Sequence, residues 1–254
     1  MKTLLKYDWL YFIKTPRLII FIVLPIFLSA LSALSARYMN VLLEYAMASE
    51  GIEGITFPDP TVQDAYVQFY SNYSQIFMIV FVFIGVGLFT IGITKNHYPF
   101  IFTHAISKKE FLLSKIVVLI SVTLVGMLGG ALVFAGYTYL LFETFNGMYF
   151  SLSLLMFLLN IIFVLSIMSL VSFAFKSYIA AISLSIIIYI LLSSLTGLKY
   201  GVFEYFPHRI FEFPILVTQK ELDIPMLVAS LIALSISILM IFMSIKVFKK
   251  RSLM

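Results

Sequence analysis

Residues 95–115 read KNHYPFIFTHAISKKEFLLSK, a polar island between two long apolar runs, and the rest of the chain divides around it. Ser107 and Glu110 stand at the spacing of a capping box. In such a box each side chain satisfies a backbone N–H that the first turn of a helix leaves unpaired. Ile106 falls at N′ and Phe111 at N4, so two apolar side chains can close a hydrophobic staple over the same corner. A cap contributes on the order of 1 kcal/mol, enough to set a geometry. The pattern predicts a stiff corner from which a helix starts at Ser107.

The composition sets what lies on either side. With 62% hydrophobic and 11% charged residues and a mean hydropathy of +1.07, a water-soluble globule is excluded, because such domains carry about a quarter charged residues. The expected fold is an all-α, polytopic membrane protein. Six apolar runs are long enough for about 30 Å of hydrocarbon, at 18–36, 74–94, 116–142, 152–175, 178–198 and 224–245. Only Lys176 and Ser177 separate the fourth run from the fifth. A tight hairpin is expected there, since one unbroken helix would far overshoot the bilayer.

Charge orients these spans. Alternate loops give one side Lys2, Lys6, Lys14, Arg17, Lys95, Lys108, Lys109, Lys115, Lys176, Lys246, Lys249, Lys250 and Arg251 against Asp8 and Glu110 alone. That side totals +11 and the other −6, which together give the formal +5. The positive side is the expected cytoplasmic one, with both termini in it and the plasma membrane as the location. The basic pI of about 9.2 therefore reflects topology and not a nucleic-acid patch.

Residues 1–15 predict an interfacial amphipathic helix, with Leu5, Trp9 and Phe12 on one face and Lys2 and Lys6 beside them. Pro16 should break it and start the first span. In that span Ser29, Ser32 and Ser35 form a small-residue packing face, and Gly126 and Gly130 make a GxxxG pair in the third. Either marks close helix contact, within the chain or across a dimer. The same alternation of small residues at 30–36 resembles a signal-peptidase site, but the long run before it favours a retained span. Residues 37–73 read as an acidic extracellular segment whose end carries an aromatic stripe, Tyr66, Phe69, Tyr70, Tyr73 and Phe77, expected at the membrane interface. Residues 199–223 are too apolar for a solvated loop and too broken by Pro207 and Pro214 for a span, so re-entrant half-helices are expected. Asn160 is the one amide deep in a span and should bond a neighbouring helix.

Several chemistries are missing. There is no cysteine, and His97, His104 and His208 lie outside the spans, which removes an intramembrane Ser/His pair or a zinc HExxH motif. No metal site is expected, since His97 and His104 have no evident third ligand. No span core carries Asp, Glu, Lys or Arg, whereas ion-coupled carriers place such residues on their path. No phosphate-binding loop of the G-x-x-x-x-G-K-[ST] kind is present. The chain is therefore not expected to be an enzyme, and any ATP and Mg²⁺ chemistry would belong to another subunit.

An N-terminal surface helix ending in K-T-P-R at residues 14–17, six spans, the corner A-I-S-K-K-E-F-L-L-S-K at 105–115 and a broken apolar segment before the last helix resemble an ABC-2 type transporter permease subunit. The corner is similar to that family's P-[VIL]-S-[RK]-[RK]-E-[FY] pattern. Within the family the chain is most similar to permeases of Gram-positive peptide exporters, such as those for phenol-soluble modulins or lantibiotics. It departs in lacking an acidic residue before the corner, where Asn96, His97 and Tyr98 stand, and in its longer first external segment. The resemblance implies that residues 95–110 form a coupling segment docking on a separate nucleotide-binding ATPase. The contacts would fall to Asn96, His97, Tyr98, Phe100, Ile101, Phe102, His104, Ser107, Lys108, Lys109, Glu110 and Phe111. It also implies a second permease copy or paralogue, and a path for amphipathic peptide or lipid-like cargo. Lys108 and Lys109 sit at the positive end of a helix dipole, so headgroups or an acidic partner surface should offset them. The alternative is a membrane immunity protein that sequesters a peptide or lipid without transport.

Overall fold

The computed structural model describes residues 2–50, 57–94, 107–175, 177–198, 200–220 and 223–250. Helix α1 (Lys2–Ile13) ends as the Thr15 hydroxyl donates to the Phe12 carbonyl at 3.0 Å. Thr15 is extended and Pro16 takes the first position of α2 (Pro16–Ser49), where its missing N–H costs nothing. Further on come α3 (Val62–Asn72), a π-helical turn (Tyr73–Phe77) and α4 (Met78–Thr94), then α5 (Lys108–Phe142), α6 (Gly147–Ala174) and α7 (Tyr178–Ser194). Three 3-10 turns (Leu195–Gly197, Gly201–Tyr205, Pro207–Phe211), a short α8 (Phe213–Thr218) and α9 (Ile224–Lys250) complete the order. Among the described residues there is no strand.

Five helical stretches are long and apolar enough to cross a membrane: Pro16–Ser49, Val62–Thr90, Lys108–Phe142, Gly147–Ala174 and Ile224–Lys250. The expected fifth span, 178–198, is a shorter apolar helix of 17 residues. Its length of about 26 Å at 1.5 Å per residue falls below the hydrocarbon thickness. The hydroxyls of Ser193, Ser194 and Thr196 fold back on carbonyls of the preceding turn, and the chain tightens into 3-10 geometry before Gly197. The hairpin before it is as expected, with Ser177 capping α7 by accepting the Ala180 N–H at 3.3 Å.

The segment 37–73 is largely helical. Helix α2 runs 13 residues past Ala36, because 37–49 holds good helix formers and meets no Gly or Pro before Gly51. Helix α3 then begins at Val62, where the Asp64 carboxylate accepts the Thr61 N–H at 2.7 Å. The segment 200–218 is a run of short helical pieces. Its prolines start a 3-10 turn and α8, and both pack on α6.

The aromatic stripe faces the interior of the bundle. Tyr66, Phe69, Tyr70, Tyr73 and Phe77 are all buried, with Phe69 stacked on Tyr73 at 4.3 Å and against Phe134 at 4.5 Å. Each phenol finds a partner, as buried tyrosines must. Tyr66 accepts the Asn146 N–H at 3.2 Å, Tyr70 meets the Ser153 hydroxyl, and Tyr73 donates to the Pro25 carbonyl at 3.1 Å. In the π turn the Met78 N–H reaches back five residues to Tyr73. The Ser74 carbonyl accepts from the Tyr189 hydroxyl, which ties α7 to the π turn.

Helices α2 and α5 pack along much of their length, and Gly126 and Gly130 make a close approach between them within one chain. Pro25 has no N–H, so the Phe21 carbonyl one turn back lacks its helical donor. Gly126 sits against that oxygen so closely that a Cβ there would overlap it. A Cβ on Gly130 would overlap the Tyr73 hydroxyl and stand 2.8 Å from Ser29 Oγ. Ser29 and Ser32 are buried on the facing side; Ser32 accepts from Asn72 at 2.9 Å, and half-buried Ser35 bonds back to the Ser32 carbonyl. Asn160 is buried as expected, but its Oδ1 bonds no neighbouring helix. The α6–α9 contact is made instead by Ser169 and Ser244, 3.0 Å apart.

Candidate functional site

The corner is described from Ser107 onward. Asn96, His97, Tyr98, Phe100, Ile101, Phe102, His104 and the staple partner Ile106 lie outside the described residues. Ser107 Oγ accepts the Glu110 N–H at 3.1 Å and the Glu110 carboxylate accepts the Ser107 N–H at 3.3 Å, so the capping box closes. Phe111 is buried against Phe248 of α9, ring centroids 5.8 Å apart.

Two other elements converge on the first two turns of α5. From one side comes α1, whose Asp8 is 2% exposed. Ser114 Oγ donates to Asp8 Oδ2 at 2.6 Å and Lys115 Nζ to Oδ1 at 3.1 Å. Lys115 also lies 4.5 Å from the Phe111 ring. From the other side comes the end of α9, where Lys108 Nζ donates to the carbonyls of Phe248 at 3.1 Å and Lys249 at 3.3 Å. A helix end leaves its last carbonyls unpaired and carries partial negative charge. Lys108 is therefore offset inside the molecule, where headgroups or a partner surface were expected. Lys109 is exposed. Phe248 continues inward to Phe173 at 4.4 Å, and Phe173 to Phe89 at 5.9 Å. An unbroken aromatic path thus joins α5, α9, α6 and α4.

Helix α1 turns one face to the rest of the chain. Leu4, Asp8 and Phe12, one turn apart, are buried, whereas Leu5 is half-buried and Trp9 is 37% exposed. The buried Asp8 is paired with Lys115, since an unpaired carboxylate in that setting costs several kcal/mol. The sequence held one signal for it. Asp8 and Glu110 are the only acids on the basic side, and the cap accounts for Glu110, so Asp8 was free to pair with a lysine.

No protein-family model, curated protein or solved structure matches the chain. The reading of the site rests on its own geometry.

The opposite end carries a second charged cluster. Arg209 is 3% exposed, with its Nε 2.8 Å from Glu212 Oε1 at an angle too poor for a hydrogen bond, and Asp223 3.8 Å from its Nη2. His208 beside it is buried with Nε2 unpartnered. Burial lowers the imidazole pKa, against the opposing pull of the Leu198 carbonyl and with the help of the Arg209 charge. The folded value lies below the unfolded value of about 6.5, so the unfolded state takes up protons first as pH falls. The cap over residues 200–218 should hold above about pH 6.5 and weaken below it. Thermal unfolding at pH 7.5 and pH 5 checks this: the fall is expected to shrink in His208→Gln.

Proposed function

We propose that this chain is the permease subunit of an ATP-driven exporter of the ABC-2 type. It takes work at the 95–111 corner from a separate ATPase subunit and pairs with a second copy or paralogue. The observation that supports the reading best is the three-way junction at the start of α5. A segment that only marked a membrane boundary would need no more than a cap. Here the first turns of α5 are also ion-paired to α1 and hydrogen-bonded to the end of α9, so a push delivered at Ser107 would reach three helices at once. Helices with apolar and aromatic walls suit amphipathic peptide or lipid-like cargo.

Copurification from native membranes tests it. A nucleotide-binding protein should be retained, and Phe100→Ala or the pair Ser107→Ala/Glu110→Ala should lower cargo-stimulated ATP hydrolysis severalfold while binding persists. Loss of the proposal follows if no such subunit is retained and hydrolysis is unchanged in both variants. Cargo protection that persists with a catalytically dead ATPase would point instead to a sequestering membrane protein.

A further inference from the structure

Helix α1 is docked by one face only. Beside that face, Leu5, Lys6 and Trp9 line a groove of about 260 Å³ with Val117, Val118 and Ser121 of α5. Its walls are almost wholly apolar. The one hydroxyl, on Ser121, is already given to the Val117 carbonyl at 2.8 Å. The one charge is the exposed Lys6, and no acidic residue lines the groove. A peptide helix, about 10 Å across with its side chains, does not fit. A hydrocarbon chain does, entering alongside an aromatic ring of the kind that favours the membrane interface.

The geometry points to a site for one anionic phospholipid, with an acyl chain held between α1 and α5 and its phosphate on Lys6. The charge complement is local and one-sided: the exposed Lys6 is the one cation lining the groove, no acid opposes it there, and the remaining walls are apolar. The lipid completes the docking of α1 on the side where the Asp8 contact does not reach. This site requires a membrane surface but no ATPase partner, so it stands or falls separately from the permease role.

Trp9 is the only tryptophan in the chain and lines the groove, so its fluorescence reports occupancy directly. Full-length protein in phosphatidylcholine nanodiscs is titrated with phosphatidylglycerol carrying brominated acyl chains, and separately with brominated phosphatidylcholine. Quenching should saturate at a low mole fraction of phosphatidylglycerol, roughly fivefold below that needed for phosphatidylcholine, as one lysine at a charged surface provides. Lys6→Gln should remove that preference, and Ser121→Phe, which fills the groove, should lower quenching by both lipids. Lys14→Gln, an exposed cation away from the groove, should change neither. The site is refuted if both lipids quench alike and in proportion to mole fraction. It is also refuted if Lys14→Gln lowers the preference as much as Lys6→Gln, since diffuse surface charge would then be the cause.

Discussion

Gly126→Ala is expected to lose about 3 kcal/mol or more of stability, the upper part of the range for an overpacked contact. The added methyl meets the Phe21 backbone carbonyl, which no side-chain rotation can relieve. Helix α2 must then withdraw from α5, and the Pro25, Ser29 and Tyr73 contacts open with it. Gly136→Ala is the matched control, since nothing lies within 4 Å of a Cβ there. It should be neutral or slightly stabilising, because alanine favours the helix by up to about 1 kcal/mol. Melting of the two variants in mild detergent separates these outcomes; equal melting temperatures would remove the close-approach account of the GxxxG pair.

The second large effect belongs to the Asp8–Lys115 pair. Lys115→Met should cost about 3–5 kcal/mol, because it strands a carboxylate in a site only 2% exposed. In a chain of this size that corresponds to a fall of roughly 10 °C in melting temperature. The double variant Asp8→Leu/Lys115→Met should regain most of the loss or exceed the parent, since apolar replacement of a buried pair is often neutral or better. A thermodynamic cycle over the two singles and the double measures the coupling. A coupling near zero would mean that the pair is solvated and that α1 is held by Leu4 and Phe12 alone.

How much of this was legible in the sequence depends on the range of each interaction. The cap at Ser107, the break at Pro16 and the turn at Ser177 are decided by residues within one helical turn, and each stands where its pattern predicts. The apolar runs are equally local, and five of them mature into helices of spanning length. Direction was harder. Helices that pack in lipid are apolar on both their inner and outer faces, so nothing in the spacing of Tyr66, Phe69, Tyr70 and Tyr73 says which way they point. Partner choice was harder still. Lys115 and Asp8 are 107 residues apart and Lys108 and Phe248 are 140 apart, and one acid among many lysines leaves the pairing open.

Those separations also order events in time. During synthesis Asp8 lacks its native partners until residues 114 and 115 have emerged, and the α9 carbonyls that hold Lys108 come only with residues 248 and 249. Contacts so distant in sequence form late, after the chain between them has been placed. The corner is therefore among the last parts of the molecule to mature, although it lies near the middle of the chain. A protein arrested before residue 248 would hold the start of α5 through α1 alone, without the α9 contact. When the start of α5 gains its second brace is in this way set by the sequence distance between a lysine and the carbonyls it caps.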